Sequence, residues 1–168
     1  GRLGRLARDV AVVGHPLDGS VPQTLAFLGR LSRATRGISE ASKLYWRRPR
    51  PFMVSDRVKP VVDKPGTLDN PSWSYPSGHS LWGYSTALAL AAMLPEKRDA
   101  ILARGRQFGW NRVIGGVHWP SDVAGGRIAA VAMVSRLSRD PAFRHDLEAA
   151  TAELRAALRL PPRAPDLP

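Results

Sequence analysis

The sequence Tyr75-Pro76-Ser77-Gly78-His79-Ser80 runs straight into an apolar stretch from Leu81 to Leu94. That stretch is apolar or small nearly all round, which predicts a central helix buried on every side. A helix of that kind needs other helices packed around it, so its reading decides the fold. Ser77, Gly78 and His79 then fall at the start of the helix. Unpaired backbone N–H groups and the positive end of the helix dipole point outward there. That geometry favours an anion, above all a phosphate. A histidine at the same place adds a proton that moves near neutral pH. An anion cradle containing a proton donor suggests chemistry on a phosphoryl group.

On the N-terminal side, the segment from Pro51 to Gly78 has no convincing periodicity and carries prolines at 51, 60, 65, 71 and 76. Unstructured connections this long are uncommon inside a compact domain and are usually functional. Before it, Ser20 is expected to cap a helix that opens with Pro22 and runs to about Arg36, with Leu25, Leu28 and Leu31 inward. Gly37 is expected to end that helix. Ser39 would cap a second, short helix carrying Lys43 and Trp46, stopped by Pro49 and Pro51. Residues 1–19 are basic and then contain Gly and Pro, with a weak helical signal at most.

On the C-terminal side, Pro95 and Glu96 open a helix to about Ile114, on which Ile101, Gly105, Phe108 and Arg112 share one face. Gly115 and Gly116 end it. Pro120 suits a first helical turn, and its helix runs through Ile128, Val131 and Val134 to about Ser138. Pro141 starts an amphipathic helix with Phe143, Leu147, Ala150, Leu154 and Leu158 on one stripe, closed by Pro161. No β alternation, internal repeat or low-complexity tract interrupts the pattern. The fold class is all-α, a single-domain helical bundle over residues 1–160 followed by a tail, 161–168, expected to fray.

At 168 residues the chain can bury a real core. Lysine and arginine number 25 against 14 acidic residues, a net charge of +11. That excess suits an anionic partner, whether nucleic acid, an acidic membrane surface or a phosphorylated metabolite, and does not choose among them. Cysteine is absent, which excludes a disulfide frame, a thiolate nucleophile and cysteine-bound zinc. No segment reaches the roughly 20 apolar residues needed to span a bilayer, so a soluble protein without a transmembrane segment is expected. No targeting peptide is visible in these residues.

Two further clusters carry chemistry. Arg112 lies on the inward stripe of its helix, where an arginine must be paired with an acid such as Asp122 or must hold an anion. His118 stands four residues before Asp122, which would lie in the first turn of its helix and reach back to the imidazole. A carboxylate on one ring nitrogen fixes the tautomer and raises the basicity of the other. The plainer alternative is a histidine helping to cap the helix while Asp122 complements its dipole. Lys43 and Arg50 form the other cluster beside Arg47 and Arg48. Arg50 sits between two prolines that stiffen it for bidentate contact with phosphate oxygens, unless the group is only a solvated basic surface. All five tryptophans (46, 73, 82, 110 and 119) lie in or near these segments, as pocket walls or as core. His15 reads as a loop residue and His145 as part of the polar face of the last helix. No HExxH and no carboxylate–histidine cluster suggests a metal site.

Taken together, Lys43-x6-Arg50-Pro51, Pro76-Ser77-Gly78-His79 and Arg112-x5-His118-x3-Asp122 resemble the type 2 phosphatidic acid phosphatase (PAP2) superfamily. It includes lipid phosphatases, bacterial class A non-specific acid phosphatases and vanadium haloperoxidases. The likeness covers roughly residues 40–125 and is greatest to the class A acid phosphatases, with Asn111, Trp73 and Pro120 as departures from their usual serine, glycine and glutamine.

The resemblance implies named roles. His118, oriented by Asp122, would attack phosphorus and form a phosphohistidine, and His79 would protonate the leaving oxygen and then activate water. Lys43, Arg50 and Arg112 would hold the phosphoryl oxygens with the Ser77 hydroxyl and the Gly78 N–H. No metal or cofactor is implied, although vanadate or phosphate would fit the site. The reading is a metal-independent acid phosphatase for small phosphate monoesters. Alternatives are a vanadate-dependent haloperoxidase, a peripheral lipid phosphatase and, last, a basic nucleic-acid-binding module. The resemblance also implies a periplasmic or secreted homo-oligomer; without it a cytoplasmic location would be expected.

Overall fold

The computed structural model describes residues 10–15, 17–63, 65–67, 69 and 72–166. The basic segment 1–9 and Pro71 lie outside the described residues. The chain order is α1 (Val10–Val13), α2 (Pro22–Trp46), α3 (Pro51–Val54), α4 (Gly78–Met93), a 3₁₀ turn (Pro95–Lys97), α5 (Arg98–Ile114), α6 (Pro120–Leu137) and α7 (Pro141–Ala157). No β-strand forms among the described residues. The architecture is an all-α bundle, and no helix among the described residues is long and apolar enough to cross a membrane.

Helix α4 is the axis. It packs against α2, α5, α6 and α7, and most of its side chains are buried. Close approach explains its small residues. A Cβ on Gly105 of α5 would lie 2.5 Å from the Ala87 Cβ, and one on Gly126 of α6 would meet the Ser77 carbonyl at 2.7 Å. Only glycine lets those helices come this near without displacing backbone.

The apolar core occupies one end of the bundle. Phe27, Leu28 and Leu31 of α2 meet Leu90 and Met93 of α4, Ile101 of α5, Val134 of α6, and Leu147, Ala150 and Leu154 of α7. Each large side chain buried there contributes about 1.5–3 kcal/mol relative to exposure. The α7 stripe matches the sequence pattern, whereas Ile128 and Val131 of α6 are exposed. Residues after α7 run back over this end, where the Asp166 N–H donates to the Ala92 carbonyl.

Three sequence expectations need correction in α2. The helix does not break at Gly37 but continues unbroken to Trp46. Gly37 faces open space, and a solvent-facing glycine costs only about 1 kcal/mol, too little to stop a helix packed at both ends. Ser39, expected to cap a second helix, is instead buried inside this one. Nor does Ser20 cap the start: Val21 is the N-cap residue, while the Ser20 hydroxyl donates to Asp18. The N–H groups of Gln23 and Thr24 donate to the Glu153 carboxylate of α7.

Candidate active site

The other end of the bundle is polar. The start of α4, the C-terminal halves of α2 and α5, and the loop before α6 surround a cavity of about 500 Å³. Lys43, Arg50, Gly78, His79, Arg112 and His118 all line it. α2 contributes a wall without an apolar residue, including Ser32, Arg33, Arg36, Ser39 and Glu40. Ser77 and Asp122 are fully buried behind the cavity. Of the tryptophans, only Trp82 reaches its lining, against the ring of Phe108; Trp46 and Trp110 are exposed.

Local sequence sets each element. Ser77 is the N-cap of α4, and its hydroxyl accepts the Ser80 N–H, which leaves the helix starting at Gly78 on the cavity. The fit at the glycine is tight: a Cβ there would lie 2.8 Å from the Ser39 hydroxyl, which would have to turn aside. Gly115 ends α5 and Gly116 follows with φ +73°, a left-handed turn suited to glycine that redirects the chain toward Val117 and His118. The Ser77 N–H donates to the Asp122 carbonyl at 2.9 Å, tying the start of α4 to the first turn of α6.

His118 is buried, and its Nδ1 lies 3.2 Å from Asp122 Oδ2. Its Nε2 lies 3.1 Å from Arg50 Nη1. Arginine can only donate, so Nε2 accepts and Nδ1 carries the proton toward Asp122. The expected tautomer is therefore present, and Asp122 raises the basicity of the ring as expected, but other effects outweigh it. Burial pushes the His118 pKa down to about 4; the Asp122 hydrogen bond opposes this, and the Arg50 charge reinforces it. A desolvated imidazole beside a guanidinium resists a second positive charge more than one carboxylate can offset.

Arg50 is 2% exposed and held on all sides. Its Nε donates to the Ser72 carbonyl, Nη1 to the Val117 carbonyl at 2.7 Å, and Nη2 to the Ser72 hydroxyl and Trp73 carbonyl. With the contact to His118, all five donors have acceptors, none of them a carboxylate. Burial, then the nearby Arg112, lowers its pKa to about 10, still charged at any physiological pH. The plain alternative for Arg112, a pair with Asp122, is not what holds Asp122. Its Oδ1 accepts Arg48 Nη1 at 2.9 Å, and its Oδ2 accepts the Trp119 N–H at 2.8 Å.

Arg48 was not singled out by sequence reasoning. The available signal was the extended Arg48-Pro49-Arg50 tripeptide, in which alternate side chains share a side. Once Arg50 faces His118, Arg48 faces the same pair.

The model of the PAP2 superfamily matches residues 25–145. The acid phosphatase of Zymomonas mobilis is 36% identical over 158 residues, covering 92% of this chain and 59% of its own length. The non-specific acid phosphatase of Salmonella typhimurium is 38% identical over 114 residues, 68% of this chain and 45% of its own. That of Providencia stuartii is 46% identical over 80 residues, 48% of this chain and 32% of its own. The chain thus spans about half the length of the curated relatives it matches. A match over most of its residues, around a buried histidine–aspartate pair in a cationic cavity, has one conclusion: the chain belongs to the PAP2 superfamily.

Proposed function

We propose that this chain carries a metal-independent acid phosphatase that hydrolyses small phosphate monoesters through a phosphohistidine on His118. The observation that carries the reading is the direction of the buried imidazole. Nδ1–H is engaged by Asp122, and Nε2 accepts from Arg50, which lines the cavity together with His118, Lys43 and Arg112. A phosphoryl group entering the cavity would replace Nε2 as the acceptor of one Arg50 N–H. Nε2 would then attack phosphorus in line, and the P–O bond to the leaving group would break. His79 would give its proton to the departing oxygen. In the second half, His79 takes a proton from water, the oxygen attacks phosphorus, and the P–N bond returns its pair to Nε2. Lys43, Arg50, Arg112 and the Gly78 N–H would stabilise charge on the transferring group. Ser77 acts less directly, since its hydroxyl caps α4.

A nucleophile with a pKa near 4 stays unprotonated in mild acid, which suits an acid phosphatase. Vanadate, a five-coordinate mimic of the transition state, is proposed to inhibit. By likeness to the acid phosphatase relatives, a periplasmic homo-oligomer is the proposed setting.

The test is hydrolysis of p-nitrophenyl phosphate in EDTA by the native chain and by His118→Ala, with and without vanadate. Activity that resists EDTA, stops with vanadate and falls at least about 10³-fold in the variant supports the reading. No hydrolysis by the native chain from acid to neutral pH defeats it. Peroxide-dependent bromide oxidation with vanadate would replace it with the haloperoxidase reading.

A further inference from the structure

Asp122 divides its carboxylate between two directions. Oδ2 takes the Nδ1–H of His118 and the Trp119 N–H, both within four residues of its own position. Oδ1 takes Arg48 Nη1, which arrives from the loop after α2. A carboxylate with bonds on one oxygen alone can turn about its broad χ2 torsion; bonds on both hold its plane.

Arg48 is itself fixed at both ends. The same Nη1 donates to the Ser121 hydroxyl at 2.7 Å, and its guanidinium lies 5.3 Å from the centroid of the Trp119 ring. The indole N–H of Trp119 donates to the Pro49 carbonyl at 3.0 Å. The Arg48 carbonyl accepts both the N–H and the hydroxyl of Ser74. Arg48 does not line the cavity. Its side chain is 36% exposed while that of Asp122 is 0%, so it brings compensating charge to a carboxylate cut off from water.

We propose that Arg48 is a positioning residue: by holding Oδ1 of Asp122 it fixes the carboxylate plane and, through Oδ2, the orientation of the His118 ring, whose tautomer Arg50 already sets. The two arginines flanking Pro49 divide the task. Arg50 acts on the reactive nitrogen of the ring, and Arg48 acts on the carboxylate behind it. The catalytic consequence rests on the phosphatase reading; the structural one does not.

The experiment compares native chain, Arg48→Gln and Arg48→Lys, each checked for native circular dichroism. Three quantities are read: the Nδ1–H···Asp122 hydrogen bond of His118, as its downfield proton signal in NMR of the ¹⁵N-histidine-labelled chain, the single-turnover rate of phosphohistidine formation from p-nitrophenyl phosphate, and the affinity for inorganic phosphate. In Arg48→Gln, the hydrogen-bonded Nδ1–H proton signal of His118 should move upfield or broaden, and the single-turnover rate should fall about 10–100-fold, the usual cost of losing such an outer partner. Phosphate affinity should stay within about twofold. Arg48→Lys keeps the charge but not the planar face over Trp119, and should recover part of both signals; it also carries the test if the glutamine variant does not fold. A native Nδ1–H signal and native rate in every folded variant overturn the proposal. So does a loss of phosphate affinity matching the loss of rate, which would make Arg48 a binding cation instead. A native chain without hydrolysis would end the phosphatase reading, while the Nδ1–H signal would still decide the role of Arg48.

Discussion

The two ends of α4 each bury an arginine, and the partners differ. At the C-terminal end, Arg155 is 4% exposed, with Nη1 bound to both Glu96 oxygens at 3.0 and 3.1 Å. It also donates to the carbonyls of Met93 and Pro161. At the N-terminal end, Arg50 is as deeply buried and makes five bonds to the four of Arg155, yet none goes to a carboxylate. A buried guanidinium already neutralised by its acid is a tie between segments. One satisfied only by neutral acceptors keeps its field, and beside Lys43 and Arg112 that field is directed at whatever enters the cavity. Burial and hydrogen bonding alone do not separate a structural arginine from a functional one; the charge of its partners does.

The most direct way to break this distinction is Arg50→Lys. Lysine keeps the charge but has three donors on one point, in place of a planar fork. It cannot serve Val117, Ser72, Trp73 and a phosphoryl group together. The expected result is a fall in kcat/KM of about 10²–10³-fold, as for loss of a preorganised donor, in a chain whose circular dichroism is native. Near-native turnover would put Arg50 in the same class as Arg155.

The cationic end should also show itself in pH. The His118 pKa is lowered from 6.5 to about 4. Between those values the unfolded chain binds the proton and the folded chain does not, so stability falls as pH drops through that window and is level below it. The whole loss is roughly 3 kcal/mol at 1.36 kcal/mol per unit. Chemical denaturation at pH 7 and pH 4 should show it for the native chain and not for His118→Gln, which cannot titrate there. The acid limb of kcat/KM should likewise lie near pH 4 rather than 6.5. An acid limb at 6.5 would mean that Asp122 outweighs burial and Arg50.

What the sequence made legible follows from this contrast. Burial on all sides leaves an unbroken apolar run, so α4 could be read; α7 could be read from its single stripe. Arg112 was visible because helical periodicity put a charge on an inward face. The continuity of α2 through Gly37 was hidden, since a glycine facing solvent looks like one ending a helix. The cap on α2 was hidden because Glu153 comes from 130 residues away. The low pKa of His118 was hidden for the same reason: it depends on burial and on Arg50, 68 residues distant, while the local motif shows only Asp122.

The smallest effect is expected at the other arginine, in Arg155→Met. Methionine fills similar space and is flexible enough to adapt. The change frees Glu96, whose side chain is 35% exposed and can return to water, so no uncompensated charge is left inside. What remains is a Met93 carbonyl without this donor and a looser hold on Pro161, a loss of about 1–3 kcal/mol. Met93 is the last residue of α4 and His79 the second, about 21 Å apart at 1.5 Å per residue. Activity per folded molecule should therefore stay within about twofold while the urea midpoint drops. A change in kcat/KM without a change in stability would couple the two ends through α4, and the separation of a structural end from a chemical one would no longer hold.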